Sequence, residues 1–140
     1  MTNTAPERTT IIVDTALSPG LQGNTIATIG IGLGAALPQL GGQQLADRTG
    51  RRIDVSATVA VPVLQAPAAT LRELMLRALD SPRRAVVVPF PAFARSQHNF
   101  ADYQADFPLH DLAEEEIHGL GLAGTRSWVT SLTGSLQLLR

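Results

Sequence analysis

His98, Asp102, Asp106 and His110 recur at every fourth position. On an unbroken helix that spacing stacks two imidazoles and two carboxylates along one face, a set suited to holding a divalent metal or moving a proton. Pro108 interrupts the helix before its last member, so the run reads first as a solvated polar face, and neither a metal nor a cofactor is expected. Within it, His98 as general base with Asp102 assisting is the one pair that offers catalysis. Gly-x-Ser-x-Gly elbows, His-Glu-x-x-His pairs and phosphate loops are missing.

Gly30-Ile31-Gly32-Leu33-Gly34 has the look of a dinucleotide loop. That loop needs its first glycine directly after the first strand, where phosphate meets a helix N-terminus. Here the glycines come several helical turns later, which points to close packing of a helix on a sheet instead. The acidic run Glu114 to Glu116 reads as a solvated helix end.

The elements that must position these groups follow from hydrophobic periodicity. Thr9 to Asp14 (TTIIVD) predicts a buried strand, and Leu17-Ser18-Pro19-Gly20 a turn. Ile26, Ile29, Leu33 and Leu37 line one face of a helix from about Leu21 to Leu37. The stretch 38–50 is loop-like, and the alternation from Arg52 to Val63 predicts a second strand ending at Pro62. A helix striped by Leu71, Leu74, Met75 and Leu79 opens after Ala66-Pro67 and closes at Ser81-Pro82. Arg84 to Pro89 predicts a third strand buried on both faces. Helices are expected around Phe100 to Phe107 and Leu112 to Glu116, then a short fourth strand, Ile117 to Leu122. A last helix, Thr125 to Leu132, is capped by Thr125 and stopped by Gly134.

Strand alternating with helix predicts a layered α/β fold with parallel neighbours. In such sheets ligands gather beyond the carboxyl ends of the strands. Those ends are 14–24 after the first strand and 90–103 after the third, so Asp14, Ser18, Asn24, Gln97, His98 and Tyr103 form the expected ligand site. The competing reading makes Ser18 and Asn24 helix caps and Asp14 a turn residue.

Composition narrows the function classes. With 140 residues, 44% of them hydrophobic and 16% charged, one folded domain over 9–140 behind a short tail, 1–8, is expected. The absence of cysteine removes disulfides, thiolate metal sites and cysteine nucleophiles. MTNTAPERTT has no apolar signal core and no run reaches membrane-spanning length, so a cytoplasmic protein without membrane contact is expected. All 11 basic residues are arginine and the net charge is -1, which argues against nucleic acid as partner, although Arg51, Arg52, Arg83 and Arg84 offer a local basic patch.

Three segments together resemble the peptidyl-tRNA hydrolase II superfamily: IIVDTALSPGLQGNTIA, VPVLQAPAATLRELMLRAL and GLGLAGTRSWVTSLTGSLQLL. Within it the chain is most similar to a bacterial and archaeal branch catalogued as domain-of-unknown-function family number two thousand. LSPGL, Asn24, the Asp47 to Gly50 loop, VPVL, Tyr103 and LTGSLQLLR are the shared marks. The resemblance implies a three-layer α/β/α domain with a small, mostly parallel mixed sheet of four strands, and it allows a homodimer. Hydrolases of this superfamily carry lysines in the glycine turn, a histidine along the first helix and an aspartate after the third strand. This chain has Leu21, Gln22 and Gly23 at the turn, a position near Gly30 on the helix, and Phe90-Pro91-Ala92-Phe93 in the loop. None of these can bind phosphate by charge or act as acid or base. The expected function is therefore a small-ligand-binding or regulatory module. A hydrolase of peptidyl-tRNA or a related ester through His98, and a dimeric interaction domain presenting Phe93, Phe100, Phe107 or Trp128, are the alternatives.

Overall fold

A computed structural model describes residues 5–140. The β-branched run at the start forms β1 (Arg8–Val13), buried from Thr9 onward. Pro19 at the first helical position opens α1 (Pro19–Ala36), and Pro38 follows its end closely. Ser18 occupies the N-cap position but its side chain caps nothing.

The expected second strand is two strands in two sheets. β2 (Gln44–Ala46) and β3 (Arg52–Asp54) form a separate antiparallel hairpin, and β4 (Val63–Gln65) lies in the main sheet. Asp47 closes the hairpin turn: its Oδ1 accepts from the backbone N–H groups of Thr49 and Arg51, and Gly50 takes the positive φ of 91° that the turn needs. These backbone donors, Arg51 first, hold the Asp47 carboxyl below its ordinary pKa.

After β4 come α2 (Ala68–Asp80), β5 (Val86–Pro91), α3 (Phe100–Asp106), β6 (Ile117–Gly124), α4 (Arg126–Thr133) and β7 (Gln137–Leu138). The Thr125 hydroxyl does cap α4, accepting from the Trp128 N–H at 3.3 Å. Leu112–Glu114 is a single 3-10 turn, not a helix.

The main sheet runs β5-β6-β1-β4-β7, five strands where four were expected. Nor is it mostly parallel: only β1 and β4 run parallel, while β1–β6, β5–β6 and β4–β7 are antiparallel. The reason lies in β6, which inserts between β1 and β5 and runs against both. The strand after α2, expected to be buried on both faces, is an edge strand with half-buried residues.

Alternation along β1 divides the core. Ile12 packs with Leu71, Leu74 and Met75 of α2, Leu120 and Leu122 of β6, and Trp128 and Val129 of α4. Ile11 faces the other way, with Ile29 and Leu33 of α1 and Ala123 of β6. Helices thus cover both faces of a mixed sheet.

The glycine packing expected on α1 holds at one position of three. A Cβ at Gly32 would sit 3.0 Å from Val88 Cγ1, whereas at Gly30 or Gly34 it would meet nothing within 4 Å. The close approach is made by β6 instead: a Cβ at Gly119 would lie 2.6 Å from Thr25 Cγ2, and one at Gly121 2.5 Å from Ile29 Cγ2. Central-strand glycines let α1 lie directly on the sheet.

Candidate functional site

β1, β4 and β5 all run in one direction, against β6, so the ends of β1 and β5 meet the start of β6 at one edge of the sheet. There the Asp14 N–H donates to the His118 carbonyl at 3.0 Å, tying β1's exit to β6. Arg95, in the 3-10 turn Ala92–Ser96 that follows β5, reaches across this edge. Its Nε–H donates to His118 Nδ1 at 3.1 Å, Nη1 donates to Asn24 Oδ1 at 3.1 Å, and Nη2 donates to the Thr25 hydroxyl. The guanidinium also covers the Phe90 ring, 4.5 Å from its centroid. Thr25 is fully buried and passes its own hydroxyl proton to the Leu21 carbonyl at 2.7 Å.

Every acceptor around Arg95 is uncharged, and none of the ion pairs among the described residues includes it. Its half-buried position lowers its pKa by desolvation, yet a guanidinium stays protonated. The outcome is a lone cation whose two terminal nitrogens each keep one N–H without a partner among the described residues. Because His118 Nδ1 accepts from Arg95, the neutral ring carries its proton on Nε2, which faces Glu116 Oε1 at 3.6 Å.

A second polar cluster fastens the segment between β5 and β6. His110 is held between two carboxylates, Nδ1 to Glu115 Oε1 at 2.6 Å and Nε2 to Asp106 Oδ2 at 2.9 Å, and its ring stacks on Phe93 at 3.7 Å and 4°. Asp106 also accepts from Gln97 Nε2 at 2.8 Å. Phe93, Tyr103 and Phe107 complete the cluster, and burial raises the Tyr103 pKa.

The hydrogen bond that His110 gives to Glu115, with the one to Asp106 and both charges, raises the His110 pKa above its ordinary 6.5 despite some desolvation. A raised folded-state value means the stabilisation is complete below the unfolded pKa and is lost as pH rises through the folded one. The melting-temperature advantage of the natural chain over His110→Gln should therefore shrink as the pH is raised from below 6.5 into the alkaline range. An advantage that stays constant over that range would show that the ring is not charged in the bridge.

The family model described as "Protein of unknown function (DUF2000)" matches residues 7–140. The chain belongs to this family. The solved structure of the protein of unknown function Atu0240 from Agrobacterium tumefaciens strain C58 is similar in fold, with a TM-score of 0.86 at 17% identity, over 95% of this chain and 97% of that one. No curated protein matches the sequence.

Against this DUF2000 fold the six expected ligand residues separate. Asp14 and Asn24 reach the Arg95 edge, although Asp14 also serves its turn, its Oδ1 accepting from the Ala16 N–H at 2.9 Å. Gln97 and Tyr103 belong to the His110 cluster, while Ser18 and His98 are exposed. No hydrogen bond among the described residues joins His98 to Asp102; Asp102 is engaged by Asn99, whose amide donates to it at 3.1 Å. Of the four-residue repeat, only Asp106 and His110 meet. No group of His, Asp and Glu among the described residues is arranged to hold a metal ion. No described helix is long and apolar enough to cross a membrane. Trp128 is core, 1% exposed, whereas Phe100 is 69% exposed.

Sequence reasoning missed Arg95, Thr25 and His118. A signal existed for the last: a histidine inside the apolar strand IHGLGL requires a polar partner once buried.

Proposed function

We propose that this chain is a small-ligand-binding, regulatory module on a peptidyl-tRNA hydrolase II-like fold, and that the strand-end cluster takes the carboxylate or phosphate group of its ligand. The single observation that supports this reading is the lone charge of Arg95, half-buried among uncharged acceptors with N–H groups to spare. A guanidinium partly withdrawn from water with no carboxylate beside it carries a desolvation cost, and an anion offsets that cost. Its planar fork suits the two oxygens of a carboxylate or phosphate.

Binding is favoured over hydrolysis by the same contacts. The lone pair that would make His118 a base is already used by Arg95, and His98 is exposed and in none of the ion pairs among the described residues.

Calorimetric titration with inorganic phosphate and with acetate tests the reading. The natural chain should bind one of them, and Arg95→Met should weaken it by about 10- to 100-fold, the worth of a charged hydrogen bond. Arg95→Lys, which keeps the charge but not the fork, should fall between. No binding by the natural chain, or unchanged binding by Arg95→Met, would overturn the assignment. Turnover of an aminoacyl ester that is lost in His98→Ala would favour the hydrolase instead.

A further inference from the structure

Arg95 lies in the turn Ala92–Ser96, and the residues two positions to either side of it are anchored in the His110 cluster. Phe93 lies flat on the His110 ring, with centroids 3.7 Å apart and planes at 4°. Gln97 Nε2 donates at 2.8 Å to Asp106 Oδ2, the same oxygen that meets His110 Nε2 at 2.9 Å. At the other ring nitrogen Glu115 Oε1 stands 2.6 Å from Nδ1. The next residue, Glu116, accepts the Ala92 N–H on its carbonyl at 2.8 Å and brings its carboxylate to 3.6 Å from His118 Nε2. One imidazole thus ties α3 and the approach to β6 to both shoulders of the Arg95 turn.

The bridge depends on the charge of the ring. A doubly protonated imidazole gives one N–H to each carboxylate, whereas a neutral one keeps a single N–H and leaves the other carboxylate facing a nitrogen lone pair. Glu115, from the turn before β6, and Asp106, from α3, are the charged groups that act on the ring, and Phe93 covers one of its faces. Tyr103 packs on Phe93 with its pKa raised by burial, so it stays neutral while the imidazole titrates. The His110 side chain is 24% exposed, which lets its proton exchange with water. With its pKa raised above 6.5, the bridge is closed below that value and opens as the pH rises into the alkaline range.

We infer, resting on Arg95 as the anion-binding group, that the charge of His110 sets the anion affinity of the strand-end site. With the ring charged, Phe93 and Gln97 are fixed and the guanidinium between them is presented already in place. With the ring neutral, that anchorage loosens, and the anion must order the arginine as it binds. The site is strong in neutral to mildly acid solution and weak in alkali.

Calorimetric titration with sulfate, whose charge is constant throughout, tests this control. The natural chain should bind sulfate about three- to tenfold more tightly below pH 6.5 than in the alkaline range, the ordering cost of one long side chain. His110→Gln, neutral at every pH, should bind at the weak level throughout and show no alkaline fall. His118, the other imidazole against Arg95, is the same in both chains, so its titration cancels in the comparison. A second readout needs no ligand: the Arg95 Nε–H chemical shift should move with the same midpoint as the His110 ring protons, and that step should vanish in His110→Gln. Sulfate binding that Arg95→Met abolishes but pH leaves unchanged would overturn the control by His110 and spare the anion site. An equal alkaline fall in His110→Gln, or an Arg95 signal indifferent to the His110 titration, would overturn it as well. No sulfate binding at either pH would remove the anion site and its control together.

Discussion

Gly121→Val is expected to lower the melting temperature by about 10 °C or more, the counterpart of about 3 kcal/mol in a chain of this size. The strand that carries Gly121 is central, flanked by β1 and β5, and cannot move aside. Even the first added carbon would lie 2.5 Å from Ile29 Cγ2 and 3.1 Å from Leu33 Cδ1. Both those side chains are almost fully buried, so α1 can yield only by lifting its whole inner face. Overpacking a core costs typically about 1 to 3 kcal/mol, and valine adds two more carbons at a site already closed to one. Gly34→Ala, where a Cβ meets open space, is the control, and should be neutral or stabilising by up to about 1 kcal/mol. Thermal unfolding followed by circular dichroism measures both. Equal midpoints for the two variants would mean that α1 does not rest on the β6 glycines.

Trp128→Ala is expected to cost about 3 to 5 kcal/mol in urea unfolding, the usual loss for a buried tryptophan. Trp128 is 1% exposed in the cluster that joins α2, β6 and α4, and its ring lies so close to Gly124 that a Cβ there would be 2.7 Å away. Trp128→Phe should behave differently. The indole Nε1–H is buried without a partner among the described residues, which carries a penalty of about 1 to 3 kcal/mol that phenylalanine removes. The lost ring area and that relief nearly offset, so Trp128→Phe should stay within about 1 kcal/mol of the natural chain. A phenylalanine variant as unstable as the alanine one would show that the indole N–H is satisfied.

How far the sequence speaks for itself depends on the kind of feature. Ile11, Ile12 and Val13 announce a strand because β-branched residues in a short run have little alternative, and Leu71, Leu74 and Met75 announce the buried stripe of α2. Strand direction is not written in strands. It follows from the path between them, and the 25 residues from 92 to 116 cross the end of the sheet through short turns and one short helix, returning β6 antiparallel. The alternation from Ile53 to Val61 was equally compatible with one long strand, because period-two patterning does not record where a chain turns. Hydrogen bonds such as Thr58 N–H to the Leu40 carbonyl, 2.9 Å, fold that stretch over instead.

That the ends of β1 and β5 carry the polar groups Asp14 and Asn24 was legible in the strand–helix order, and Asn24 accepts there from Arg95. Arg95 was not predictable. It is one arginine among 11, and only the fold shows that it alone reaches Asn24, Thr25 and His118 together.

The two outermost strands of the sheet have a bearing on how the molecule resists polymerisation. β5 lies at one margin and includes Pro89 and Pro91; β7 at the other is only two residues long. Proline is admitted to a sheet where its nitrogen faces away from the neighbour or at a bulge, and the β5–β6 pairing does shift register between Phe90 and Pro91. An incoming strand would find donors missing along one border and too short a template along the other. Amyloid-like stacking and strand exchange between copies are thereby discouraged in the native state. Such protection matters in a chain whose β1 run, Thr-Thr-Ile-Ile-Val, combines high β-propensity with no charge and no proline.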